Sequence, residues 1–125
     1  MTAPRPATFV FAAGTAALRG SLSYVEERRQ AYDERRKYFC KAVDDIEGLS
    51  CHLFEGAFYA WIDARDFGLG SEEFVNRLQE QESLALSPGH RFGLNTDGFI
   101  RVPLVHPVPI LRKVVERLDR FVHSL

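Results

Sequence analysis

The sequence predicts an α+β fold over residues 1–125: a two-layer sandwich in which a small, mostly antiparallel sheet carries helices on one face, in the order ααββαββα. Three observations predict it. Long segments whose apolar residues recur at helical spacing alternate with short runs rich in aromatic and β-branched side chains. Each amphipathic segment has one apolar stripe that requires one cover, which a sheet supplies. A chain of 125 residues buries roughly two-thirds of its unfolded surface, enough for one core but not for two.

Residues 7–20 read as a helix, Ala-rich, with apolar side chains from Phe9 to Leu18 and Gly20 as its C-cap. Ser21 or Ser23 is placed to cap a second, longer helix that Gly48 ends. In it Val25, Tyr32, Phe39 and Ile46 recur at heptad spacing, with Leu22 and Val43 on the same stripe. Its other face mixes both signs from Glu26 to Lys37, and Asp33 precedes Arg36 and Lys37 at the spacing of helical ion pairs, as on a solvated surface. Past Gly48 the period changes, and Leu49 to Leu53 and Ala57 to Ile62 read as two strands joined through Glu55-Gly56. Asp63 to Gly70 is loop. Ser71, with Glu72 and Glu73 in the first turn, is predicted to cap a third helix whose Phe74, Val75 and Leu78 face inward. Leu84 to Leu86 read as a brief strand stopped by Pro88-Gly89. Phe99 to Leu104 read as the last strand, entered through Asn95-Thr96-Asp97-Gly98, whose residues tolerate positive φ. After His106-Pro107-Val108-Pro109, a final helix places Leu111, Val114, Val115, Leu118, Phe121, Val122 and Leu125 on one stripe. No repeat or low-complexity linker interrupts the chain, so 1–125 reads as one domain, with 1–20 as an end helix and 21–125 as its core.

Composition excludes several classes. The chain is 46% hydrophobic and 26% charged, with a net charge of -1, so no basic excess points to nucleic acid and no acidic tail is present. No apolar run is long enough to span a membrane. The opening Met1–Pro6, followed by Phe9 to Ala13, has the outline of a signal peptide, but the apolar run is short and broken by Gly14; the expectation is a cytoplasmic protein. Cys40 and Cys51 have no CxxC spacing and no histidine at metal-ligand spacing, and are expected to be reduced, partly buried thiols. His52, His90, His106 and His123 match no zinc template. Hydrolase elbows, P-loops and dinucleotide fingerprints are absent. No catalytic residue and no metal site is predicted.

Arg101 carries most of the functional interest. Strand alternation sends it to the face opposite Ile100 and Val102, where an unpaired guanidinium is costly to bury and calls for an anionic partner. On strand context alone, a surface arginine paired with a local carboxylate is the commoner reading. Two further motifs precede it. Ser87-Pro88-Gly89 forces a turn and is followed by Phe92-Gly93, and Gly56-Ala57-Phe58-Tyr59 places a glycine at a strand entrance before two aromatics expected on opposite faces. His90 and Arg91 read as ordinary loop residues.

Taken together, in this order and spacing, Gly56-Ala57-Phe58-Tyr59, Ser87 to Gly93 and Gly98-Phe99-Ile100-Arg101-Val102 resemble the C-terminal small domain of the fold-type I, class I/II aminotransferases, which depend on pyridoxal phosphate. The pattern Tyr32-Asp33-Glu34-Arg35-Arg36 is similar to one on the long helix joining the two domains of that family, whereas at the Gly56 motif the chain departs from the family, with Phe54 two residues before the glycine where a proline is common. The resemblance implies that Arg101 grips the α-carboxylate of an amino acid or 2-oxo acid, with Gly56, Phe58, Tyr59, Pro88, Gly89 and Phe92 walling the pocket. It implies pyridoxal phosphate in the complete enzyme, held on a lysine of a large domain expected to precede Met1, and none on this chain alone, since Lys37, Lys41 and Lys113 sit on charged helix faces. The apolar first helix is expected to need a partner surface, either that large domain or a second copy of the chain in a homodimer. Two alternatives stay open: a stand-alone interaction or carboxylate-binding module, and part of a related lyase or decarboxylase, because this domain reports amino acid binding and not the fate of what is bound.

Overall fold

The computed structural model describes residues 7–125; the opening Met1–Pro6 lies outside the described residues. The chain divides into two compact units, 1–31 and 32–125. In the first, α1 (Thr8–Arg19) draws its helix propensity from four alanines with Leu18 and Arg19, and Gly20 donates its N–H to Ala16 O from an extended conformation. Helix α1 buries no residue, and Phe9 and Leu18 are 75% and 81% exposed. The next helix, α2 (Ser23–Asp44), begins in this unit, where the Ser21 hydroxyl accepts the Ser23 N–H at 3.3 Å, and continues into the second. Its apolar stripe is uneven: Leu22 and Val25 are exposed, whereas Phe39, Cys40 and Val43 are buried. The helix stops at Asp44, and Ile46 is buried from the turn that follows, which closes at Gly48 with φ 82°. An added Cβ at Gly48 would lie 2.6 Å from the Phe67 ring, so glycine is required there twice over.

The second unit holds the sheet. Its strands β1 (Tyr59–Asp63), β2 (Ser87–Pro88) and β3 (Phe99–Pro103) lie in the order β1-β3-β2, and both pairings are antiparallel. Alternation works as the sequence leads one to expect: Ala60, Ile62, Ile100 and Val102 are buried, and Tyr59, Trp61, Phe99 and Arg101 occupy the other, half-buried face. Against the buried residues pack Phe74, Val75 and Leu78 of α3 (Ser71–Glu82) and Leu111, Leu118, Phe121 and Val122 of α4 (Val108–Val122), with Phe39 and Val43 of α2 completing the core. The rings of Phe74 and Phe121 meet edge to face at 4.9 Å, joining α3 to α4. Helix α4 starts one residue before Pro109, whose missing N–H costs nothing in a first turn.

Four expectations require correction. The strand at 49–53 is a single bridge, Ser50 to Asp63; the next N–H, that of Cys51, is taken by the Asp44 carboxylate at 2.7 Å, which turns the chain toward α2 and away from the ladder. The strand beginning at Ala57 begins at Tyr59, because Ala57 has φ 67°, outside the strand region. The pairing placed at Leu84 to Leu86 falls on Ser87–Pro88; Leu84 and Leu86 pack on the core without ladder bonds, and Pro88 is tolerated because β2 is an edge. The observed order is therefore ααβαββα.

The fourth correction concerns the cap of α3. Ser71 is fully buried inside the first turn, and the N-cap position is Gly70. The cap comes from elsewhere in the chain: Asp97 Oδ1 accepts the Ser71 N–H and the Ser71 hydroxyl, both at 2.7 Å, and the Gly98 N–H at 3.0 Å. These bonds, led by the Ser71 N–H, hold the Asp97 carboxyl below its ordinary value of 3.8. A carboxyl with a lowered folded-state pKa contributes stability that is fully present above its unfolded value and is lost as pH falls through the folded one. Asp97→Asn is thus expected to lower the melting temperature by several degrees at neutral pH, with the gap to the parent chain closing below about pH 4. Thermal melts of both proteins across pH check it; a constant gap would remove the carboxylate from the cap.

Candidate functional site

Arg101 sits at the middle of the central strand, with Trp61 of β1 and Ser87 of β2 as its register partners. Its guanidinium carbon lies 4.3 Å from the centre of the Tyr59 ring and 4.1 Å from that of Phe92, so two aromatic residues flank the cation. Its Nε is buried with no hydrogen-bond partner. Among the described residues no carboxylate pairs with it. Asp63, on the same sheet face, is already held by Arg65 at 2.7 Å, and that hydrogen-bonded guanidinium keeps the Asp63 carboxyl below its ordinary value. A desolvated donor with no acceptor costs on the order of 1–3 kcal/mol, more for a charged group. The local carboxylate favoured by strand statistics is therefore not what Arg101 meets.

The flanking rings are positioned from two directions. Tyr59 opens β1, and Phe92 closes the single-turn 3₁₀ segment Gly89–Phe92. That segment is anchored from beneath. The Thr96 hydroxyl bonds Gly89 O and Gly93 O, both at 2.7 Å, and the Ser71 hydroxyl accepts the His90 N–H at 3.2 Å and lies 3.1 Å from His90 Nδ1. Gly89 is buried so tightly that an added Cβ would stand 2.3 Å from Thr96 O and 2.5 Å from Phe99 O. The turn 95–98 takes positive φ at Asn95 (63°) and Gly98 (80°), as its residue types allow. Ser71, His90 and Asp97 are close together, but the serine is fully buried and its oxygen serves both neighbours, so the trio ties the loop to α3 and presents no nucleophile.

The other residues singled out by sequence separate into groups. Phe58 does not lie on the face opposite Tyr59: their ring centres are 4.4 Å apart, and Phe58 also meets Tyr32 at 5.9 Å. The turn at Ala57 leaves Phe58 outside the strand, where pleat alternation does not apply. Gly56 is exposed, with nothing within 4 Å of an added Cβ, so no close backbone approach requires it. Pro88 and Gly89 are buried under the loop that carries Phe92. Two contributors lay outside the sequence reading. Trp61, stacked on Phe99 at 5.7 Å and edge-on to Phe92 at 5.8 Å, was legible as the residue two beyond Tyr59 on one strand face. Asp97 was not, because its partner Ser71 is remote in sequence. A cleft of about 310 Å³ beside this face is lined by Tyr59, Trp61, Phe99, Phe54 and His52, among others.

The pattern at 32–36 has structural work of its own. Arg35 donates to the carbonyls of Leu104 and Val105 at 3.1 and 2.9 Å, beyond the end of β3. Arg36 donates to Phe54 O, ahead of β1, and pairs with Asp33 at 2.6 Å. The helix thereby fixes the segments flanking the two strands that carry Tyr59 and Arg101. Among the described residues no helix is long and apolar enough to cross a membrane, and no three metal-ligating side chains cluster.

Residues 3–118 match the family model described as aminotransferase class I and II. An aspartate aminotransferase of Pyrococcus abyssi (strain GE5 / Orsay) is 33% identical over 117 residues, covering 92% of this chain and 30% of that protein. The crystal structure of an aromatic aminotransferase from Pyrococcus horikoshii OT3 superposes with a TM-score of 0.88 at 33% identity, over 95% of this chain and 32% of that one. Cystalysin from Treponema denticola, whose structure contains a pyridoxal 5'-phosphate cofactor, shares the fold alone, with a TM-score of 0.75 at 18% identity over 82% of this chain and 26% of that one. The chain spans about a third of the length of the relatives it matches.

Proposed function

This chain belongs to the class I and II aminotransferase family, and on that premise we propose that it is the C-terminal small domain of a pyridoxal-phosphate-dependent aminotransferase, the two-layer arm in which Arg101 binds the α-carboxylate of an amino acid or 2-oxo acid. One observation carries the reading: a half-buried arginine on the central strand, flanked by two aromatic rings, whose Nε has no acceptor. A carboxylate supplies what that site lacks, because its two oxygens match the guanidinium fork and fix orientation as well as charge. Tyr59 and Phe92 keep water from the faces of the cation, so the planar edge is left for the ligand.

The residues of this chain do not fit the cofactor itself. Lys37 is paired with Asp33 at 2.6 Å and Lys41 with Asp45 at 3.0 Å, while Lys113 lines a cleft with Leu84, Leu86 and Ile110. No lysine stands at Arg101, so no chemical step is assigned to this chain beyond holding and orienting the substrate. In the whole enzyme the cofactor would supply the electron sink. Most of the pocket residues that would select a side chain belong to the proposed large domain.

The test is reconstitution. The chain titrated with pyridoxal phosphate is expected to show no cofactor absorption band that amino acids discharge; joined to a family large domain, it is expected to restore conversion of amino acid to 2-oxo acid. A substrate-responsive band on the chain alone would overturn the division of labour. Elimination products from the joined protein would favour the lyase alternative, and carboxylate binding without any gain on joining would favour the stand-alone module.

A further inference from the structure

Outside the Arg101 site, the feature that this function leaves unused is the pair Cys40 and Cys51. Both are buried and reduced, and their sulfurs are 3.3 Å apart, with the Cys51 thiol donating to Cys40 Sγ. Buried cysteines commonly serve as small hydrophobic residues, and two of them would then need no contact with one another. Here they meet across different segments, one on α2 and one in the link toward β1, at the base of a cleft of about 330 Å³ whose rim carries Lys37, Lys41, Asp44 and Asp45. We propose that Cys40 and Cys51 form a peroxide-sensitive dithiol, in which Cys40 is oxidised first and Cys51 resolves the product into an intramolecular disulfide.

Geometry and electrostatics assign the order. The thiol of Cys51 hydrogen-bonded to Cys40 lowers the Cys40 pKa, burial and Asp44 opposing the effect and Arg36 adding to it, and the same bond, with burial, raises that of Cys51. Cys40 is thus the better nucleophile of the two. Its sulfur attacks one oxygen of hydrogen peroxide, the O–O bond breaks, and the departing hydroxide takes up the thiol proton as water, leaving a sulfenic acid on Cys40. The Cys51 sulfur then attacks the Cys40 sulfur and gives up its proton, the S–O bond breaks, and the departing hydroxide takes that proton as a second water. Two thiols and one peroxide yield one disulfide and two waters; each cysteine sulfur loses one electron and the peroxide gains two. The sulfurs need only approach to about 2.05 Å to reach bonding distance. Hydrogen peroxide is small enough for the cleft, and the contact between the thiols places the resolving group before the first step occurs.

The bond would tie α2 to the segment that enters β1, next to Phe54, whose carbonyl Arg36 already holds. The inference does not depend on Arg101 binding a carboxylate. In the test, the reduced chain is exposed to hydrogen peroxide, digested without reduction and analysed by mass spectrometry, with free thiols counted in parallel. Expected are a Cys40–Cys51 cross-linked peptide pair, loss of both thiols together within single chains, and a melting temperature raised by oxidation and restored by dithiothreitol. In Cys51→Ser the reaction is expected to stop at a sulfenic acid on Cys40, captured by dimedone, and in Cys40→Ser the remaining thiol is expected to stay unreacted over the same exposure. Independent oxidation of the two thiols, cross-links only between chains, or dimedone labelling of Cys51 in preference to Cys40 would overturn the proposal. The cross-link assay uses the unaltered chain, so it decides the question even where a serine variant fails to fold.

Discussion

Replacing Arg101 with alanine is expected to lower amino acid turnover about thirtyfold or more in the chain joined to a large domain, while the cofactor stays bound. Truncating one partner of a buried, hydrogen-bonded charge pair costs roughly 2–5 kcal/mol, and each 1.36 kcal/mol is about tenfold in rate or affinity. The loss should appear both as a raised KM, since the carboxylate is no longer gripped, and as a lowered kcat, since the amino acid is no longer oriented. Arg101→Lys should recover part of the binding and little of the orientation, because an ammonium keeps the charge but not the planar fork that lies between Tyr59 and Phe92. Steady-state kinetics on the three proteins, with cofactor content read by absorbance, provide the measurement. Equal turnover in Arg101→Ala would exclude the residue from the site.

The second large effect is expected at a residue with no side chain. Gly89→Ala places a methyl 2.3 Å from Thr96 O and 2.5 Å from Phe99 O, two backbone atoms that cannot swing aside as a flexible side chain would. Overpacking of this kind costs about 3 kcal/mol, on the order of ten degrees in melting temperature for a chain of this size. The loop that answers the clash is the one that carries Phe92, so the ring should leave the face of Arg101 even where the fold survives. Gly56→Ala is the matched control: both glycines belong to the recognised motifs, but nothing lies within 4 Å of a Cβ at Gly56, and a change within about 0.5 kcal/mol is expected there. Thermal melts separate the two; similar losses at both positions would mean that the packing around Gly89 is not what makes it necessary.

The contrast between these glycines shows what the sequence can disclose. Period-2 alternation located the two sheet faces correctly, because burying Ile100 and Val102 leaves Arg101 no choice of side. The helices were legible for the same reason, since a stripe such as Leu111, Leu118 and Phe121 needs a cover wherever it lies in the chain. What failed was decided by partners distant in sequence. The segment 49–53 has strand composition, but a carboxylate on the preceding helix takes the Cys51 N–H. Ser71 has the residue type of a cap, but Asp97 performs the role and draws the serine inward. Phe58 and Tyr59 are adjacent, and adjacency in a strand implies opposite faces, yet one positive φ at Ala57 removes Phe58 from the strand. The cation between two rings was likewise hidden: Arg101, Tyr59 and Phe92 could each be suspected singly, but only the fold brings them together.

The pairing of β1 with β3 joins residues about forty positions apart, Asp63 with Phe99 and Tyr59 with Pro103, with all of α3 in between. Closing so long a loop is paid in chain entropy before any ladder bond is gained, so this register is expected to form after the local turns of α2, α3 and α4. The face around Arg101 is then assembled only once β1 and β3, with α3 between them in sequence, have been brought together. Amide exchange across the β1–β3 ladder should therefore slow when a carboxylate is bound at Arg101.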